Sequence, residues 1–291
     1  MALIDCLRAA NNARAADYQA LYIAGQRVGL IRRTQKSLLA DYGFHLHAQG
    51  EALHWQSQGD CAANTAFLAD ICRQMAKDGI VQGWRDELYP IAIDYQQLPL
   101  ALVERAAMPL FGARGYGVHV NGLVQKTDGI YMWLGKRAAD KPTSPNKLDQ
   151  IAAGGLPYGI SVFANMQKEC AEEANIPAAL SAQARAVGMG SYYHEVANGI
   201  RADMMFFYDL WLPADFIPSN SDGEVAEFFC YPLSEIIAML RQDNHSIKYN
   251  SALAIIDCAI RHQLITPDEA HYQSICHLLR AQDHFGENFP V

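Results

Sequence analysis

Over the first third of the chain, apolar and polar positions alternate in short paired runs. YIAGQRVGLI and FHLHAQGEALHW each read as two strands around a Gly-containing turn, whereas Asn64 to Lys77 has helical spacing that ends before Gly79. The texture changes near residue 110, at the Gly-rich joint MPLFGARGYG, which predicts two units. Beyond it, GVHVNGLV and IYMWLGKR flank Lys126 to Gly129 and predict a hairpin. The polar loop DKPTSPNKLD leads to a helical run from Val162 to Ala174, stopped by Asn175 and Pro177. YHEVANG and IRADMMFFYDLWLP predict two strands joined by a tight turn at Asn198-Gly199, and DFIPSNSDGEV is a loop. Two closing helical runs, Ser251 to His262 and Pro267 to Ala281, predict a terminal helical hairpin. Thr266 is the expected N-cap of the second, with Pro267 at its first position and Asp268 and Glu269 favoured there by the helix dipole.

Composition narrows the class. With 291 residues, 51% hydrophobic and 19% charged, the chain can bury a sizeable core and is neither disordered nor collagen-like. A net charge of −8 argues against nonspecific nucleic-acid binding, which needs surplus Lys and Arg against phosphate. No apolar run suits a secretory signal or a spanning helix, so a cytoplasmic protein without membrane contact is expected. The seven cysteines form no C-x-x-C pair and are expected reduced and mostly buried. His45 and His47 share a strand face, but no H-x-x-x-H spacing suggests zinc.

The predicted helix carries Glu169, Glu172 and Glu173 at i, i+3 and i+4, within an arc of about 100° on one face. They adjoin an apolar stripe of Phe163, Met166, Cys170 and Ala174. Like charges at this spacing repel, and only Lys168 lies near in sequence to offset them. A divalent cation would remove that strain, since carboxylate oxygens are hard ligands suited to Mg²⁺ or Mn²⁺. An acidic helix face is equally a solvated surface, and the spacing alone leaves both readings open.

From Gly154 the sequence resembles the box of the Nudix hydrolases, G-x5-E-x7-R-E-U-x-E-E-x-G-U with U apolar. Lys168 stands at the Arg position, Glu169 at the first helix Glu, Cys170 at the apolar site, Glu172 and Glu173 at the Glu pair and Ile176 at the last apolar site. Three positions depart: Ile160 replaces the first Glu, Lys168 the Arg and Asn175 the final Gly. In the family that Glu and Arg support one another, so the two changes look linked, and Asn175 can supply the left-handed residue after the helix. GWRDELYPI, LDQIAAGGLPYGIS and YDLWLPADFIPSNSDGEV together are similar to one subgroup with an extra N-terminal domain. It includes plant and fungal Nudix proteins and the N-terminal part of some fused thiamin pyrophosphokinases. The departures in the box are usual there, and no kinase activity is implied.

The resemblance implies an α+β chain: a Nudix α/β/α sandwich with a mixed sheet over 109–248, preceded by a small α+β domain over 1–108 and followed by the helical extension 249–291. It implies a metal-dependent diphosphatase acting on a small-molecule diphosphate, thiamin diphosphate or its oxidised forms foremost. The metal set would be Glu169, Glu172, Glu173 and the Ala153 carbonyl, with Glu172 and Glu173 catalytic. Glu224, in DGEV, is the candidate for an added ligand or general base, although Asp-Gly also marks a simple turn; Glu227 is a weaker choice. Gly154 and Gly155 would approach the substrate. Trp84 and Tyr89 could stack on a heterocycle and Arg85 could meet phosphate, or the aromatics belong to a core. His194 is open between acid-base chemistry and packing. Competing readings are another diphosphate substrate, such as a nucleotide sugar, dinucleotide or prenyl diphosphate, and a diphosphate-binding module that does not cleave. Monomer and homodimer fit equally.

Overall fold

The computed structural model describes residues 1–141 and 143–280. Pro142 in the predicted polar loop and Ala281 in the last predicted helix lie outside them. The first unit is built as the alternation predicts. After α1 (Leu3–Ala10), β1 (Tyr18–Ile23) and β2 (Gln26–Arg32) form one hairpin; past α2 (Lys36–Asp41), β3 (Leu46–Gln49) and β4 (Ala52–Trp55) form another. They join as a four-stranded sheet, β2-β1-β4-β3, with β1 and β4 parallel. Helix α3 (Cys61–Lys77) starts three residues earlier than its periodicity suggests, because Asp60 caps it by accepting from the Ala63 N–H. Its buried Leu68, Ile71, Cys72 and Met75 share a core with this sheet and with the pair β5 (Leu88–Ile91) and β6 (Ala101–Glu104).

The joint is α4 (Met108–Phe111), ended by Gly112 in the left-handed region. It feeds a seven-stranded sheet whose main path is β11-β12-β7-β8-β13. The strands are β7 (Arg114–Lys126), β8 (Gly129–Arg137), β11 (Arg185–Val196), β12 (Gly199–Trp211) and β13 (Val225–Pro232). Short strands β9 (Leu148–Gln150) and β10 (Ala152–Gly155) pair with β8 and β7. Only the β12–β7 contact is parallel, so the sheet is mixed. Both predicted hairpins are present, with Gly199 positive in φ at the second turn. The predictions omitted β13 and the following α7 (Leu233–Leu240).

Helix α5 (Val162–Ala174), followed by the short α6 (Ala178–Ser181), packs on one face of the sheet. There Met166, Cys170 and Ala174 meet Val118, Val120 and Ile151. The other face is covered by α7, α8 (Tyr249–Arg261), α9 (Tyr272–Leu278) and α1, whose residues join Leu123, Met132, Leu134 and Phe207 in one core. The architecture is thus an α+β chain with an α/β/α sandwich.

Three expectations need correction. Phe163 is 42% exposed and not part of the buried stripe; its place is taken by buried Asn165, whose Nδ2 donates to the Gly155 carbonyl at 3.0 Å. Thr266 does not cap a helix. Its carbonyl accepts from the Glu269 N–H at 2.9 Å in a turn, and α9 begins only after His271, itself in the left-handed region. The last two helices are not a simple hairpin either, because α1 packs against both α8 and α9. No helix among the described residues is long and apolar enough to cross a membrane.

Candidate active site

Ser161 starts α5 by accepting from the Ala164 N–H, and Asn175 ends it at φ 51°, ψ 37°, the left-handed geometry anticipated for that position. A helix fixed at both ends holds its three carboxylates over β10. Glu173 is buried, and its Oε2 accepts the Ala153 N–H at 2.8 Å. Glu169 lies over Gly154: a Cβ there would come within 2.0 Å of the Glu169 carboxyl carbon. A side chain there would have to push this carboxylate away from the strand. Glu172 is about half exposed and accepts from Lys168 Nζ at 2.7 Å, while the same ammonium lies 3.5 Å from Glu169. Ile160, at the position of the missing acid, packs with Tyr95 against Tyr116, Leu156 and Met204. An apolar contact therefore stands where a supporting carboxylate would be, and Lys168 bonds the helix acids directly.

Electrostatics make the cluster a cation site in waiting. Burial, then the neighbouring Glu169 charge, push the Glu173 carboxyl up to about 8, against the opposing hydrogen bond from Ala153. Glu169 is also raised, chiefly by burial. Hard oxygen donors crowded this closely, with one ammonium for three acids, suit a divalent cation by charge and ligand chemistry. A carboxyl harder to ionise in the folded than in the unfolded chain makes the folded state bind more protons between about pH 4.5 and 8. Stability should then fall as pH rises through that window. The expected result is a melting temperature of metal-free protein that drops from about pH 5 to 8, a flatter profile in Glu173→Gln, and a larger rise on adding Mg²⁺ at about pH 8 than at 5. A thermal-shift series measures all three, and equal Mg²⁺ effects at both pH values would refute the assignment.

The loop before β13 docks on the end of α5. Asn220 Nδ2 donates to the Glu173 carbonyl at 2.9 Å and Ser221 Oγ to the Glu172 carbonyl at 3.2 Å. This brings Glu224 to the same cavity, where it pairs with Lys141. Glu227 sits on β13 in register with Lys136 and does not line the cavity.

That cavity, of about 1120 Å³, lies between the N-terminal unit and the sandwich. Ala153, Gly154, Gly155, Glu169, Glu172 and Glu173 line one side. Arg85 and Tyr89 also line it, as the sequence suggested, but Trp84 does not. Trp84 packs on the first unit's core, with Nε1 donating to Asp86 at 2.7 Å. His194 stacks on Tyr249 with ring centroids 3.9 Å apart, and its Nδ1 meets the Ala9 carbonyl, which is a packing role. Five cations that sequence reasoning missed also face the cavity: Arg105, Arg137, Lys141, Arg201 and Lys248. Lys248 anchors the inner wall through Asp149 at 2.8 Å, where Arg137 adds a second contact at 3.1 Å. None has a spacing relation to the acidic helix, so nothing in the linear sequence could connect them to it.

Residues 2–115 match a family model described as Domain of unknown function (DUF4743). The chain is 41% identical over 219 residues to Nudix hydrolase 20, chloroplastic, of Arabidopsis thaliana, covering 75% of this chain and 58% of that protein. Nudix hydrolase 24, chloroplastic, from the same plant is also 41% identical over 219 residues, covering 75% of this chain and 60% of it. The chain thus spans less than two thirds of these curated relatives. The Nudix domain of Shewanella oneidensis NrtR, solved with ADP ribose, shares 13% identity at a TM-score of 0.41, covering 53% of this chain and 91% of that one. Over 75% of its length this chain is similar to two Nudix hydrolases of Arabidopsis thaliana.

Proposed function

We propose that the protein is a metal-dependent hydrolase of a diphosphate linkage in a small molecule. The observation that carries this reading is the convergence of Glu169, Glu172, Glu173 and Glu224 on one cavity. In it, Glu169, Glu172 and Glu173, with the Ala153 carbonyl, would hold Mg²⁺ or Mn²⁺. A divalent cation bound there neutralises charge on the phosphate oxygens and acidifies water. Glu173 is buried and Glu169 largely covered, which keeps the donors fixed, and the Ala153 amide orients Glu173. Gly154 leaves room beside the strand for the Glu169 carboxylate, and Gly155 for the Tyr89 hydroxyl. Glu224, on the docked loop, accepts the proton of the attacking water, with Lys141 holding it in position.

The finer part of the proposal is the substrate. The similarity of the GWRDELYPI, LDQIAAGGLPYGIS and YDLWLPADFIPSNSDGEV segments to the thiamin-related Nudix subgroup favours thiamin diphosphate or its oxidised analogues, cleaved to monophosphates. A product assay by mass over thiamin diphosphate, its oxidised analogues, ADP-ribose, NADH and a prenyl diphosphate, with and without Mg²⁺, tests both levels. Metal-dependent release of a thiamin-type monophosphate is expected. Cleavage of another compound alone would move the substrate, and tight binding without any cleavage would overturn the hydrolase reading.

A further inference from the structure

Opposite the carboxylate helix, the cavity has a second wall of hydrogen-bond donors. Tyr89 is only 4% exposed, yet its hydroxyl has no hydrogen-bond partner among the described residues. The same holds for Arg201 Nε; the nearest acid to that guanidinium, Asp203, is 3.9 Å away, beyond hydrogen-bonding distance. Arg105 lies with its guanidinium carbon 5.7 Å from the Tyr89 ring centroid and pairs with Glu87 at 2.9 Å. Its charge bears on both Glu169 and Arg201.

The position of this wall relative to the acids is set by the two glycines. A Cβ on Gly155 would fall 1.9 Å from the Tyr89 hydroxyl and 3.2 Å from the Arg105 guanidinium carbon. A Cβ on the preceding residue would strike Glu169. Donors from the first unit and acids from α5 therefore meet at neighbouring residues of one strand. A buried hydroxyl left without a partner costs about 1–3 kcal/mol, so the folded chain carries this cost unless an acceptor enters the cavity.

We infer that Tyr89, Arg105 and Arg201 form a subsite for the terminal phosphoryl group of the diphosphate, so that the preferred substrate ends in an unesterified terminal phosphoryl group. This rests on the diphosphate reading above and deepens it. Three donors approaching from two strands and the turn that precedes α4 match three non-bridging oxygens. A terminal phosphoryl group offers three, whereas each internal phosphate of ADP-ribose or NADH offers two. Tyr89 acts through its hydroxyl and not by stacking on a heterocycle. The N-terminal unit becomes part of the substrate site, because Tyr89 and Arg105 both precede the sandwich in sequence. Glu87 holds Arg105 in place and partly neutralises it in the absence of ligand.

The test is calorimetric titration of inorganic pyrophosphate, with Mg²⁺, into the full chain and into Tyr89→Phe, Arg105→Ala, Arg201→Ala and Glu87→Gln, beside kinetics on a terminal diphosphate and on ADP-ribose. Arg105→Ala and Arg201→Ala should each weaken pyrophosphate binding at least about 10-fold, and Tyr89→Phe about 5-fold. Glu87→Gln should tighten it, because a competing carboxylate is lost. The arginine variants should raise KM for the terminal diphosphate at least about 10-fold more than for ADP-ribose. Tyr89→Phe removes one oxygen and keeps the ring, so a melting temperature at or above that of the unaltered protein shows the fold is intact. Wild-type pyrophosphate affinity in Tyr89→Phe and Arg105→Ala would overturn the subsite, as would equal weakening in Glu87→Gln and Arg105→Ala, which marks a merely structural pair. Binding losses as stated without cleavage of any compound would leave the subsite standing and remove only the hydrolase reading. Cleavage with unaltered binding in the variants would do the reverse.

Discussion

Turnover of the Glu172→Gln and Glu173→Gln proteins is expected to fall at least about 100-fold, with folding retained. The reasons differ at the two positions. Glu173 is buried with one oxygen on the Ala153 amide, and Gln can keep that hydrogen bond while losing the charge. The helix and strand should therefore stay docked, and burial of a neutral amide should even relieve the metal-free protein of a group that resists ionisation. Glu172 is half exposed and bonded to Lys168, so its loss leaves the core untouched and frees that ammonium to sit beside Glu169. Measured as product release across a Mg²⁺ titration, both variants should show low rates that excess metal does not restore. Wild-type rates in both would remove these carboxylates from the mechanism.

A large loss of stability is expected at the joint. Gly112 has φ +50°, and a Cβ there would meet the Leu30 carbonyl oxygen at 2.2 Å and Ile200 Cγ2 at 2.8 Å. The approach is reciprocal, since a Cβ on Gly29 would lie 2.2 Å from the Phe111 carbonyl oxygen. Both obstacles at 2.2 Å are backbone, which cannot rotate away as a side chain does. Gly112→Ala should thus cost at least about 3 kcal/mol, from backbone strain together with displaced packing between β2, α4 and β12. Melting should fall by roughly 6–12 °C. Gly25 provides the control: it too has positive φ, at +77°, but nothing lies within 4 Å of its added Cβ. Gly25→Ala should cost only about 1 kcal/mol. Equal losses in the two variants would show that conformation alone, and not close approach of the two units, explains the glycine at 112.

The sequence made some features legible because their causes are local. Helix α5 was readable to the residue from its periodicity and the Asn175 stop, and the acidic face followed from spacing alone. Both main-sheet hairpins announced themselves through Gly129 and Asn198-Gly199. Strand β13 did not, since six of its eight residues are partly buried, with two exposed neighbours, and so show no clean alternation. Thr266-Pro267 carries the signals of a helix start, but these residues close a turn instead. The far side of the cavity was illegible for a stronger reason. Tyr89, Arg105 and Arg201 reach the acids only through the docking of separate elements, and Trp84, a better stacking candidate by type, points into a core.

The placement of α1 has a consequence for biosynthesis. Cys6 Sγ meets the Leu240 carbonyl 234 positions away at 3.3 Å, and Asn11 Nδ2 reaches the Leu278 carbonyl 267 positions away at 3.5 Å. At about 5–20 residues per second, the ribosome takes roughly 15–50 s to supply such a partner after α1 itself has emerged. Throughout that interval Leu3, Ile4 and Leu7, all destined for complete or near-complete burial, have no core to enter. The helical layer on that face of the sheet is therefore assembled only after translation of residue 278. The nascent α1 segment is a natural client for chaperones, although it belongs to the last part of the fold to close.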